Sequence, residues 1–126
     1  MTPRARRLPV LAMAAVVLPG LAQHAVAAPA AGDYEATLCV AVAQKPPQCG
    51  PADVRWDGSG YASVRINDLD YRLWLAPGKL IVILMHGSMQ VQEFDTAYAW
   101  QDHTLKFADT ERELGYEVTL GARKPP

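Results

Sequence analysis

The residues of this chain best suited to chemistry lie in the short segment from Met85 to Met89. Thioether sulfur and imidazole nitrogen are ligands that suit Cu(I), so the spacing Met85-His86-x-x-Met89 raises the hypothesis of a soft metal site. His103 is the one other imidazole outside the N-terminal segment. Neighbouring residues of a strand point to opposite faces, so Met85 and His86 can share a ligand only if Gly87 bends the chain.

This pattern resembles the periplasmic copper-carrier proteins of metal-efflux systems, which are small barrels with methionine, histidine and a nearby tryptophan. The resemblance covers five residues and implies Cu(I) binding by Met85, His86 and Met89 as an alternative function. Methionine is by default a residue that fills cores. The main expectation is therefore a protein with no metal and no cofactor.

The same segment also suggests nucleophilic catalysis by a serine, since His86 lies two residues from Ser88. Such a nucleophile needs a base and a sharply turned elbow, and the chain has no G-x-S-x-G and no acid partner placed by a motif. Asp68 and Asp70 share a strand face, but they flank a turn in which Asp is favoured for its local hydrogen bonds. We expect no catalytic residue and no enzyme activity.

The two cysteines, Cys39 and Cys49, are separated by nine residues. In an oxidising compartment an even cysteine count favours a disulfide, and Pro46-Pro47 can turn the chain between them. Closing so short a loop stabilises by about 2 to 3 kcal/mol in the chain-entropy model. A redox-active pair would show the closer C-x-x-C spacing, which is absent.

The first 27 residues have the pattern of a secretory signal peptide. Arg4, Arg6 and Arg7 precede an apolar stretch over 8–21, and small residues lead to a cleavage site after Ala27. We therefore predict a leader at 1–27 and a mature domain at 28–126. The expected location is the periplasm or the exterior, with no membrane span after cleavage.

Cleavage leaves 99 of the 126 residues, enough for one small domain. All 13 acidic residues lie in this part and three of the 12 basic residues leave with the leader, so the mature net charge is about −4. An acidic surface disfavours nucleic acid and anionic lipid as partners. We expect a monomer.

The segment from Leu80 to Phe94 is the most apolar of the mature chain. Six apolar residues in a row, 80–85, predict a strand buried on both faces at the centre of the core. The chain is expected to bend or turn at Gly87, and 89–94 then alternates, with Met89 and Val91 on one face.

Alternation of apolar and polar residues continues through most of the mature chain, and Gly, Pro, Asn and Asp separate the segments. The pattern predicts an all-β fold: a single small antiparallel β-sandwich or barrel of about eight strands. The ordered core is expected at 33–121, followed by a frayed tail at 122–126.

A small exported domain without catalytic residues most often binds another molecule. We expect it to engage an envelope protein or a cell-wall-associated partner through a loop after the central strand. The predicted contact residues are His86, Ser88, Gln90, Gln92, Tyr98 and Trp100. For Tyr98 and Trp100 a place in the core is an equal alternative. A passive envelope component or secreted antigen is the remaining alternative.

The late pattern Tyr98-x-x-x-x-x-x-Leu105-x-Phe107, in a secreted domain with two cysteines, resembles in outline the bacterial periplasmic lysozyme inhibitors. The Ser-Gly-Ala signature of those inhibitors is absent, and Gly87-Ser88-Met89 offers similar residues in a different order. The resemblance implies an inhibitor-like or immunity-like binding function.

Overall fold

A computed structural model describes residues 29–126, and the predicted leader lies outside them. The described chain is all-β, as predicted, with nine antiparallel strands in one sheet. Across these residues there is no helix long and apolar enough to cross a membrane. The strands are β1 (Gly32–Val42), β2 (Gln48–Trp56), β3 (Tyr61–Ile66), β4 (Leu69–Ala76), β5 (Lys79–His86), β6 (Met89–Thr96), β7 (Tyr98–Gln101), β8 (Thr104–Asp109) and β9 (Leu114–Arg123).

The sheet curls into a nearly closed barrel. Its strand order is β6-β5-β4-β3-β2-β1-β9-β8-β7, so β6 and β7 are the two ends of the sheet and are also consecutive in the chain. Only Ala97 separates them, and they run in the same direction. They act as one bent strand whose first half pairs with β5 and whose second half pairs with β8. This exchange of partners brings the two ends of the sheet together.

Three two-residue turns set the hairpins between β3 and β6. They contain Asn67-Asp68, Pro77-Gly78 and Gly87-Ser88. Gly78 and Gly87 have φ of 74° and 62°, a region that glycine enters without steric cost. All three turns fall where the sequence predicts a turn.

The core lies inside the barrel, and the alternating apolar residues of almost every strand point into it. The most deeply buried side chains are Val64, Leu73, Leu80 and Val82. Four aromatic rings, those of Tyr71, Phe94, Phe107 and Tyr116, pack together in the same interior. A closed sheet with a packed interior explains why a chain this short has a substantial core.

The expectation that β5 is buried on both faces was wrong. Leu80 and Val82 have no exposed surface, whereas Ile81 and Ile83 on the other face are partly exposed. A barrel has one inside, so the second apolar face of β5 lies on the outer surface. Its inward residues Leu80 and Val82 are nevertheless among the most deeply buried of the core, as expected for that face.

The last strand extends further than the expected end of the ordered core at 121. β9 continues to Arg123, which pairs with Tyr34 across an irregularity in the β1–β9 ladder. Lys124 then donates its backbone N–H to the carbonyl oxygen of Asp33 at 2.7 Å. Arg123 and Lys124 are thus joined to β1.

Candidate functional site

The predicted disulfide between Cys39 and Cys49 is confirmed. The two residues are directly opposite each other in the β1–β2 ladder, with Cα atoms 4.0 Å apart. Cys39 follows Leu38, which points inward, so the bond lies on the outer face, where Cys49 is exposed. The cross-link closes the loop between β1 and β2 and leaves no free cysteine in the described chain.

The most exposed large apolar residues lie at the turn between β5 and β6. We call His86–Val91 the hairpin tip. Met89 is 64% exposed and Val91 is 56% exposed, and His86, Ser88 and Gln90 are exposed beside them. Three of the predicted contact residues therefore lie in this turn, with His86 on the face of Met89 and Gln90 on the opposite face. Val91 is not among the predicted contact residues, because the alternation assigned the neighbouring glutamines to the binding face and Val91 to the other face.

A β-bulge accounts for the position of Val91. Leu84 pairs with Gln92 and Met85 pairs with Gln90, so one step on β5 corresponds to two on β6. Val91 is the extra residue, and such an insertion reverses the facing of the residues beyond it. Gln92 and Phe94 consequently turn inward, and Val91 is left at the surface.

Gln92 is engaged inside the fold. Its Nε2 donates a hydrogen bond of 2.8 Å to Oδ2 of Asp109, a carboxylate only 2% exposed. Nη1 of Arg112 reaches the same oxygen at 3.0 Å. No backbone ladder joins β6 to β8 in the described sheet, so these side chains bridge the strands where the barrel is incompletely closed. The Gln92 amide is committed to this contact.

The predicted contact residues Tyr98 and Trp100 are half-buried and pack against the core, which was the alternative considered for them. The Tyr98 hydroxyl donates to the carbonyl oxygen of Ala76 at 2.9 Å, and the Trp100 ring meets the Trp56 ring edge-on at 6.3 Å. Because β7 continues in the direction of β6, both residues lie away from the hairpin tip. The structure does not bring them together with His86 and Ser88.

The three candidate copper ligands are divided between two faces. His86 and Met89 are opposite each other in the β5–β6 ladder, whereas Met85 pairs with Gln90 on the other face. One face therefore holds one imidazole and one thioether. Within residues 29–126 there is also no group of three or more His, Cys, Asp or Glu side chains placed to hold a metal ion.

The buried tyrosines near Asp109 remain protonated. Burial raises the pKa of Tyr116, and the neighbouring Tyr71 and the Asp109 carboxylate raise it further. Burial also raises the pKa of Tyr71, whose ring centroid is 5.7 Å from that of Tyr116. A hydroxyl with a raised pKa is a poor base and a poor nucleophile at neutral pH.

The barrel interior offers almost no room for a ligand. The apolar cavity near Trp56 and Trp100 has a volume of about 20 Å³, close to the space that a single water molecule needs. Ligand pockets usually measure ~300–1,000 Å³. Recognition by this domain would therefore use the outer surface.

The chain was compared with protein-family models, with curated proteins and with solved structures, and nothing matches it in any of the three.

Proposed function

We propose that this is an exported binding protein without catalytic activity, which engages an envelope protein through the hairpin tip. The observation that carries the proposal is the exposure of two large apolar residues within one short hairpin turn, Met89 at 64% and Val91 at 56%. Apolar side chains cost free energy in water and gain about 25 cal/mol per Å² when a partner covers them. Almost all other large apolar residues of the described chain are at least partly buried.

The backbone of the hairpin tip supports the same proposal. β8 ends at Asp109, the residue that Gln92 contacts, so residues 89–91 extend past the end of β8. Since β6 is an end strand of the sheet, its backbone groups there have no neighbouring strand on one side. An extended segment of a partner protein can add to such an edge, with main-chain hydrogen bonds supplying affinity and side-chain contacts supplying specificity.

The base of the hairpin is rigid, which favours tight binding. Leu80 and Val82 of β5 are fully buried, and the bond between Gln92 and Asp109 holds β6 against β8. A contact surface whose backbone is already ordered loses less entropy on binding. The same turn also carries exposed His86, Ser88 and Gln90, whose side chains can donate and accept hydrogen bonds.

The proposal is tested by photo-crosslinking in the exporting cells. A photoreactive amino acid replaces Val91 in one variant and Glu117, on the outer face of β9, in a control variant. We expect an adduct with one envelope protein from position 91 and none from position 117. The captured protein is then purified and titrated with wild type, Val91→Asp and Val42→Asp. Val42 is the matched control because it is an apolar residue, 47% exposed, on a different strand.

Loss of affinity of at least tenfold in Val91→Asp alone supports the proposal, since an interface anchor contributes about 2 kcal/mol or more. Equal affinity of all three proteins contradicts it. The absence of any adduct from position 91 also contradicts it and favours a passive envelope component.

Cu(I) binding is the second candidate function, and it depends on the exposed cross-strand pair of His86 and Met89. Two soft ligands can bind Cu(I) if a partner or a second chain completes the coordination. Anaerobic titration against a Cu(I) chelator tests it, with Met85→Ala as the control. We expect His86→Ala to abolish binding and Met85→Ala to leave it unchanged; no binding by wild type rules out a copper site formed by this chain, alone or with a second copy.

A further inference from the structure

A second surface with its own chemistry lies on the outer face of β3 and β4. On β3 the outward residues are Tyr61, Ser63 and Arg65, and on β4 they are Asp70, Arg72 and Trp74. The ladder pairs Tyr61 with Trp74 and Arg65 with Asp70. One end of the face is thus aromatic and the other is charged.

The aromatic end consists of two rings outside the core. The centroids of Tyr61 and Trp74 are 5.0 Å apart with an angle of 55° between the ring planes, and Trp74 is 40% exposed. Core packing does not account for their position, because the inward neighbours Ala62 and Leu73 fill that role. The pair forms an apolar surface with two hydrogen-bonding groups, the tyrosine hydroxyl and the indole N–H.

A polar groove of about 670 Å³ continues from Tyr61 across β3 and β2 toward β1. Its side chains hold one another in place. Nε of Arg55 donates to Oδ1 of Asp33 at 2.9 Å, and the Ser63 hydroxyl donates to Oδ1 of Asp70 at 2.5 Å.

The charges along this groove cancel. Three carboxylates, those of Asp33, Asp53 and Asp70, face three cations, Arg55, Arg65 and Lys124. A polyanion such as a nucleic acid would require an excess of cations. A neutral ligand with many hydroxyl groups is better matched, since carboxylates and guanidinium groups offer it paired acceptors and donors.

We propose that this outer face binds a neutral oligosaccharide chain. One sugar ring lies with its apolar face against Trp74 and Tyr61, and the following sugars place their hydroxyls along the groove toward Arg65 and Asp70. The site is separate from the hairpin tip, so it goes beyond the proposed function and can fail independently of it.

The test is calorimetric titration of the full mature protein with three neutral hexasaccharides: cellohexaose, chitohexaose and maltohexaose. Polygalacturonate serves as the anionic comparison. We expect at least one neutral hexasaccharide to bind with a Kd below 1 mM and polygalacturonate to bind at least tenfold more weakly. Because Trp74 is the most exposed tryptophan of the described chain, binding should also shift the tryptophan emission to shorter wavelength.

Two variants and one control identify the site. Trp74→Ala and Arg65→Ala should each weaken binding at least fivefold, and Val91→Asp should leave it unchanged because it alters only the hairpin tip. Unchanged thermal unfolding of Arg65→Ala shows that a loss of binding reflects the site and not the fold. No binding of any neutral hexasaccharide overturns the proposal, as does equal binding by Trp74→Ala or tighter binding of polygalacturonate.

Discussion

Nε2 of Gln92 lies 2.8 Å from Oδ2 of Asp109, and this contact joins two strands that share no backbone ladder. The sheet therefore closes at this point through side chains. The carboxylate accepts from Gln92, from Nη1 of Arg112 and from the backbone N–H of Arg112. A buried carboxylate is stable only while its hydrogen-bond donors remain. The stability of the fold should therefore depend on both Gln92 and Asp109.

Replacing Gln92 should destabilise the fold. Gln92→Ala removes one donor from a carboxylate that is 2% exposed, and a buried group deprived of a partner costs about 1 to 3 kcal/mol. Urea denaturation at pH 7 measures the loss. Gln90→Ala is the matched control, since Gln90 is exposed and should change the free energy of unfolding by less than about 0.5 kcal/mol. Equal stability of the two variants would show that the contact between β6 and β8 does not depend on Gln92.

Removal of the disulfide should lower stability without changing the fold. Cys39 and Cys49 close a short loop between β1 and β2, and the double variant to Ala should lose about 2 to 3 kcal/mol in guanidinium denaturation. Far-ultraviolet circular dichroism checks that the strands remain. In wild-type protein taken from the cell envelope and denatured without reductant, thiol labelling should find no free cysteine; two labelled thiols per chain would contradict this prediction.

Asp57 should make stability depend on acidity. Three backbone N–H groups, of Ser59, Gly60 and Tyr61, donate to its Oδ1 and lower its pKa to about 2. Because the folded pKa lies below the ordinary value of 3.8, the carboxylate stabilises the fold above about pH 4. This contribution is lost as the pH falls toward 2.

The comparison of wild type with Asp57→Asn isolates that effect. Thermal unfolding measured from pH 5 to pH 2 should show a steeper fall in Tm for wild type than for the variant, whose side chain does not titrate. If Tm falls equally with pH in the two proteins, the acid sensitivity comes from other carboxylates. Asp33, whose pKa is also lowered, is one of these.

Charge at the hairpin tip should affect binding and leave folding unchanged. Ser88 and Gln90 are exposed, so Ser88→Arg combined with Gln90→Arg should keep the wild-type Tm within about 2 °C. The same variant should no longer retain the envelope protein crosslinked from position 91, because two bulky cations would lie in the interface. The control is Lys106→Ala on β8. Retention of the partner by the doubly substituted protein would place the interface elsewhere.

Local patterns in the sequence determined most of the architecture. Alternation along the strands predicted one apolar face per strand, and the alternating residues Ala62, Val64, Leu73 and Val118 are indeed buried in the core. Turn residues such as Asn67-Asp68 and Pro77-Gly78 marked the hairpins, and the cysteine count favoured the disulfide. These features depend on backbone preferences and on contacts between neighbours in the chain, which a sequence displays directly.

Long-range packing decided the rest. Nothing in the pattern of β5 shows that one of its two apolar faces lies outside, because that depends on curvature accumulated over nine strands. The bulge at Val91 exchanged the expected facing of Val91 and Gln92, and the partner that draws Gln92 inward, Asp109, lies 17 residues away. The pairing of Tyr61 with Trp74 likewise required the β3–β4 register. Period-two alternation gives only relative facing within a strand, so the inside of the barrel and its surface sites exist only once the sheet has closed.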